Sequence, residues 1–229
     1  MKLAIMQPYF LPYIGYFQLI NAVDTFLIYD DVNFIKQGWI NRNRVLMNGS
    51  PLLLTLNLKG ASSFKKICEI EIGSNTDKIQ KTIIQAYRKA PFFQDVYPII
   101  QEILVFKENN LARFVANSIV KISHFLKLET KFDISSELNI AKDRMGQERI
   151  LEICKFYGAR EYINAIGGVE LYSKNDFEKE KIKLFFLKSY EIKYKQFSDQ
   201  FTSALSIIDV LMFNPPEIIS NFLTNYELI

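Results

Sequence analysis

The feature that most constrains this chain is an apolar run, Leu3-Ala-Ile-Met6, that halts against Pro8. Proline has no N–H to give a sheet ladder, so a short buried strand must end there. Pro12 keeps the next loop extended, and Gly15 opens a helix-compatible run to about Ala22. Phe26-Leu-Ile-Tyr29 predicts a second strand, ending in the carboxylate pair Asp30-Asp31. Strand, proline-pinned loop, helix, strand and acidic tip open a βαβ unit. Ligands of such units sit beyond the carboxyl ends of the strands, where the Gln7-Pro8-Tyr9 loop and the two aspartates fall side by side.

Residues 32–50 read as a polar loop ending in the turn signal Asn48-Gly49. Leu52 to Leu58 and Cys68 to Ile72 predict two paired strands, with Leu52, Leu54, Leu56 and Leu58 on one face. The connector 59–66 is a basic loop, with Lys59 at a strand tip where it can reach an anion. Three helices should follow: one capped by Thr76 or Asn75 that stops before Pro91, one over about 92–107 with a break near Pro98, and one over about 111–127. The third places the only histidine, His124, opposite its apolar stripe, which leaves no histidine for a general base, a metal site or a Ser-His pair. Strands at 131–134, 161–164 and 182–187 then alternate with helices, and Pro215-Pro216 opens the last helix. Alternation of this kind predicts an α/β fold: a Rossmann-like three-layer domain with a mostly parallel sheet, a helical insertion and a β-hairpin. The expected organisation is one domain over 1–229, with a βαβ-and-hairpin part (1–75), a helical insertion (76–128) and a second α/β half (129–229).

Composition narrows the function classes. A net charge of +3, with lysines interleaved among acids, describes a solvated surface rather than a phosphate track, so no nucleic-acid partner is expected. There is neither an apolar run long enough to span a bilayer nor a signal-peptide pattern at the start, which makes cytoplasmic the expected location. Cys68 and Cys154 lie in no metal or redox spacing and read as buried thiols. With 19 Phe and 12 Tyr, most rings must be core, but Tyr9, Phe10, Tyr13, Tyr16 and Phe17 crowd one loop–helix junction.

The candidate site collects around that junction. Asp30 and Asp31 can serve as a general base or as magnesium ligands, and Lys36, Arg42 and Arg44, with Lys59, can hold a phosphate or carboxylate. Tyr9, Tyr16 and Trp39 can stack a base or sugar ring. Gln7, Asn41, Asn43 and Asn164 can orient it through hydrogen bonds, and Pro8 and Gly15 shape the loop. Gly167-Gly168 after a strand can admit a phosphate to backbone amides, or form a plain turn. No metal ligands are assigned.

Met6-Gln-Pro-Tyr-Phe-Leu-Pro-Tyr-Ile-Gly-Tyr-Phe17, Tyr29-Asp-Asp31, Lys36 with Trp39-Ile-Asn-Arg-Asn-Arg44, Tyr162-Ile-Asn164 with Gly167-Gly168, and Ala204-Leu-Ser-Ile-Ile-Asp-Val-Leu211 resemble the WbqC-like family of bacterial proteins. These stretches run nearly end to end. The family is associated with O-antigen and other surface-polysaccharide gene sets. The resemblance implies a transferase that moves an aminoacyl group (glycyl among them) or an acyl group onto a nucleotide-linked amino sugar. It leaves open a non-catalytic nucleotide-sugar-binding or assembly protein.

The opening is also similar to that of nucleotidyltransferases, whose His-Xaa-Gly-His tetrad stabilises phosphates. Here the tetrad is Tyr13-Ile14-Gly15-Tyr16. Tyrosine donates a hydrogen bond but carries no positive charge near neutral pH, so the histidine route to nucleotidyl transfer is in question while a nucleotide-binding fold is not. What this second likeness implies is a nucleotide with magnesium, and divergent nucleotidyl transfer with divalent-dependent pyrophosphate release is a third reading.

Overall fold

The computed structural model describes residues 1–229. Its centre is a six-stranded sheet built from β1 (Lys2–Met6), β2 (Thr25–Ile28), β7 (Lys131–Ile134), β8 (Glu161–Ala165), β9 (Lys183–Ser189) and β10 (Tyr226–Leu228). In space the order is β10-β9-β8-β1-β2-β7. All neighbours are parallel except β10, which runs antiparallel to β9. Counted along the chain this is the doubly wound order 3-2-1-4-5-6, whose direction of winding reverses between β1 and β8. The inner strands are buried on both faces, which is why β2 is apolar or small throughout and reads without alternation.

Helices cover both faces. On one side Ala4, Phe26, Ile28, Ile163 and Leu187 join a core shared with α1 (Ile14–Asn21), α2 (Thr76–Tyr87), α3 (Phe93–Leu104), α4 (Leu111–Phe125), α7 (Ile207–Phe213) and α8 (Pro216–Leu223). On the other, Leu3, Ile5, Leu27, Tyr162, Leu184 and Phe186 pack on α5 (Gly146–Phe156) and α6 (Lys174–Lys179). The three inserted helices fall where their periodicity places them, and α3 runs through Pro98 without the expected break. No helix is long and apolar enough to cross a membrane.

The 32–50 segment differs from its reading as a loop. Residues Arg42–Met47 form β3, paired antiparallel with β4 (Ser50–Thr55) in the register Met47↔Ser50 to Arg42↔Thr55. Asn48 and Gly49 both take positive φ, 50° and 77°, as the two central residues of a tight hairpin turn must. That turn obliges β4 to pair backwards onto β3, so the expected 52–58 with 68–72 pairing survives only as β5 (Leu58–Lys59) with β6 (Glu71–Ile72). Leu52 is correspondingly exposed while Leu54 and Leu56 are buried. The short edge strand β10 carries no signal strong enough to have been assigned.

Candidate functional site

Three remote segments meet beside the end of β1. Leu11, fully buried, sits at φ 46°, a left-handed conformation costly for a branched side chain unless its surroundings hold it. They do. Asn43 Nδ2 donates to the Phe10 and Leu11 carbonyls at 3.1 and 2.8 Å, and Ser206 Oγ donates to Leu11 O at 2.7 Å. Backbone bonds finish the clamp: Phe10 N to Trp39 O at 3.1 Å, Ile207 N to Pro12 O at 2.8 Å and Ser206 N to Arg44 O at 2.8 Å.

Between these segments lies a cleft of about 200 Å³ lined by Tyr9, Pro12, Tyr13, Trp39, Asn43, Arg44 and Ala204. The Arg44 guanidinium lies 5.1 Å over the Trp39 ring, within cation–π range. Its Nε is buried with no hydrogen-bond partner, and no carboxylate lies within 4 Å of it. Ala204 on the far wall is also left-handed, at φ 55°. Residues in the left-handed region thus stand on both sides of this small cleft.

The aspartates are elsewhere employed. Asp30 is buried, with Ser136 N and Oγ donating to its two oxygens at 2.8 and 2.7 Å. Ser135 Oγ lies 3.0 Å from Asp30 Oδ1 and 2.6 Å from Asp31 Oδ1, so the pair shares one hydroxyl proton. Asp31 Oδ2 accepts from Arg149 Nη2 at 2.5 Å, and that guanidinium stands 5.0 Å over Tyr29. Burial pushes the Asp31 carboxyl up, but the bonds from Arg149 and Ser135 outweigh it and hold the group below its ordinary range. Both carboxylates thus tie the tip of β2 to β7 and α5. Sequence reasoning missed Arg149, although it falls on the buried side of α5, four residues before Ile153.

The remaining candidates divide. Tyr16 is a core residue and not a stacking surface: it is buried against Tyr9, Phe17 and Phe26, and its hydroxyl donates to Gln7 O at 2.8 Å. Gly15 leaves room for Tyr13, whose ring carbon Cε2 would lie only 2.3 Å from a Cβ there. Pro8 is buried and Gln7 half-buried at the mouth of the switch point. Arg42 is turned back on its own loop, donating through Nε to Gly38 O at 3.0 Å and through Nη2 to Gln37 O. Asn41 donates to Leu56 O at 2.9 Å, and with Arg42 and exposed Lys36 it borders a shallow depression separate from the cleft. Lys59 projects from β5, outside both. Across the switch point, Asn164 is buried at the end of β8 and accepts from Ala165 N at 2.8 Å. Any Cβ on Gly168 would stand 2.6 Å from Asn164 Nδ2, whereas Gly167 faces open space. A larger cavity of about 910 Å³ opens at the opposite, amino edge of the sheet between α3, α7 and α8.

Uncharacterized protein Rv1507c of Mycobacterium tuberculosis is 29% identical over 219 residues, covering 93% of each chain. No solved structure matches the chain. The family model described as the WbqC-like protein family matches residues 7–221, a span that includes the proline loop, the β3 arginines and the Ala204–Leu211 segment. The chain belongs to the WbqC-like protein family.

Proposed function

We propose that this protein is a transferase of surface-polysaccharide biosynthesis acting on a nucleotide-linked amino sugar, and that the Arg44–Trp39 cleft holds the sugar or its phosphate. Arg44 carries the reading. A buried N–H without an acceptor costs about 1–3 kcal/mol, which an incoming ligand oxygen would recover. A guanidinium matches phosphate or carboxylate in a planar fork, and the flat faces of Trp39, Tyr9 and Tyr13 suit the apolar face of a sugar ring. A volume of about 200 Å³ fits one such ring or phosphate. The nucleotide would then run along Gln7–Tyr9 toward the β1/β8 switch point, beside Asn164 and Gly167.

Acyl transfer to an amine requires the amine unprotonated. With Asp30 saturated and Asp31 paired to Arg149, the acceleration in this reading comes from aligning amine and acyl donor: the nitrogen bonds to the acyl carbon as the donor's bond to its leaving group breaks, the leaving group departs with that electron pair, and the amine proton passes to solvent. The same two engaged carboxylates favour a second reading, a nucleotide-sugar-binding protein that serves other enzymes. Calorimetric titration with a uridine-diphosphate amino sugar, with and without magnesium, tests the common part. Arg44→Met should weaken binding by about ten- to a hundredfold, the worth of a hydrogen bond to a charged group, with Tm undiminished because an unpaired buried N–H is removed. Equal affinity in the variant removes the cleft from the site. Mass spectrometry of the sugar after incubation with acyl and aminoacyl donors separates the two readings, because only a transferase adds mass.

A further inference from the structure

Three loops at the carboxyl edge of the sheet each end in an apolar side chain left in water beside a cation. Phe64 is 92% exposed and precedes Lys65 and Lys66; Met145 is 83% exposed and follows Arg144; Ile35 is 52% exposed and precedes Lys36. These loops are neighbours. Phe34 N donates to Lys65 O at 2.9 Å and Asn33 bridges to Lys66, so Ile35 and Phe64 flank one short ladder. Ile67 N and Cys68 N continue that ladder to Val32 O and Asp30 O. Met145 stands at the start of α5, which Arg149 fastens to Asp31 on the same segment. Leu171, 68% exposed, joins them because Ser173 N donates to Gln147 Oε1 at 2.6 Å.

A soluble surface carries single exposed hydrophobes without consequence, but four clustered on loop tips mark an interaction site. The charges say of what kind. None of the ion pairs in the chain uses Lys36, Lys65 or Lys66. Arg144 beside Met145 is paired with Asp143 and Glu148, but the Ile35 and Phe64 tips stand beside unpaired lysines, and apolar tips with free cations suit a plane that is apolar inside and anionic outside. We infer that this edge of the protein attaches peripherally to an anionic lipid bilayer, with Ile35, Phe64 and Met145 entering the headgroup region and Lys36, Lys65 and Lys66 meeting lipid phosphates. The mouth of the β1/β8 switch point would then face the bilayer. This attachment stands independently of which ligand occupies the Arg44 cleft.

Sedimentation of the full chain with vesicles tests it. Wild type should pellet with phosphatidylglycerol–phosphatidylethanolamine vesicles at 0.15 M salt and stay in solution with phosphatidylcholine. Lys65→Glu with Lys66→Glu should lower partitioning by at least about 25-fold, since each cation near such a surface is worth about fivefold. The triple variant Ile35→Ser, Phe64→Ser, Met145→Ser should stay in solution with an unchanged Tm, as these side chains lie outside the core. No pelleting of wild type, equal pelleting with both lipids, or pelleting of the triple variant overturns the inference. So does a wild-type dimer by light scattering that the triple variant dissolves, because a second copy would then cover the patch.

Discussion

Arg149 Nη2 lies 2.5 Å from Asp31 Oδ2, with both side chains almost wholly buried and 118 residues apart. The pair joins the end of β2 to the first turn of α5, the helix that carries the chain from one half of the sheet to the other. It therefore ties the tip of β2 to the helix that crosses the switch point.

Removing one partner of a buried pair leaves an uncompensated charge, which costs about 3–5 kcal/mol. Arg149→Met should lose that much in urea denaturation. Adding Asp31→Asn should restore part of it, so the double variant is more stable than the sum of the singles predicts.

Two buried carboxyls give opposite pH limbs. Asp31 is held below its ordinary range, so its contribution is present above the unfolded pKa, about 4, and is lost as pH falls through the folded value. Asp209 is pushed up by burial, which outweighs the bonds from Tyr194, Gln196 and Tyr87. Its contribution is full below about pH 4 and declines as pH rises through the raised value. Unfolding free energies measured from pH 3 to 8 should lose the acid limb in Asp31→Asn and the declining limb in Asp209→Asn.

Gly15→Ala separates the cleft from the core. Alanine raises helix propensity by about 1 kcal/mol, while its Cβ must displace the Tyr13 ring, a partly exposed side chain that can swing. Stability should move by no more than about 1 kcal/mol in thermal melts, while affinity for the sugar ligand falls because one wall of the cleft has shifted.

Asn43 is the converse, a clamp rather than a contact. Asn43→Ala deletes one bond to each of the Phe10 and Leu11 carbonyls, leaving buried Phe10 O without its side-chain donor and Leu11 O with Ser206 alone, so a loss of about 2–3 kcal/mol is expected in chemical denaturation. Ser206→Ala removes one bond to Leu11 and should cost about 1 kcal/mol.

The sheet was readable because its signals are local. Pro8 ends β1, and Asn48-Gly49 marks a hairpin wherever its strands lie. What escaped reading depends on partners distant in sequence. Arg42-Asn-Arg44 looks like a polar loop because its inward residue, Asn43, is buried to satisfy carbonyls rather than to join an apolar face. Asp30 and Asp31 look like a free acidic tip because Ser135, Ser136 and Arg149, which engage them, lie more than a hundred residues on. Among the arginines, sequence alone does not distinguish Arg42, spent on its own loop, from Arg44, left open over Trp39.

Trp39 is the chain's only tryptophan and lies in the cleft under Arg44, so its fluorescence reports that site alone. Titrating a uridine-diphosphate amino sugar into wild type should shift and saturate Trp39 emission, with the midpoint raised about ten- to a hundredfold in Arg44→Met. A nucleotide-sugar that binds by calorimetry yet leaves Trp39 emission untouched would contradict the account, because the ligand would then sit somewhere other than this cleft.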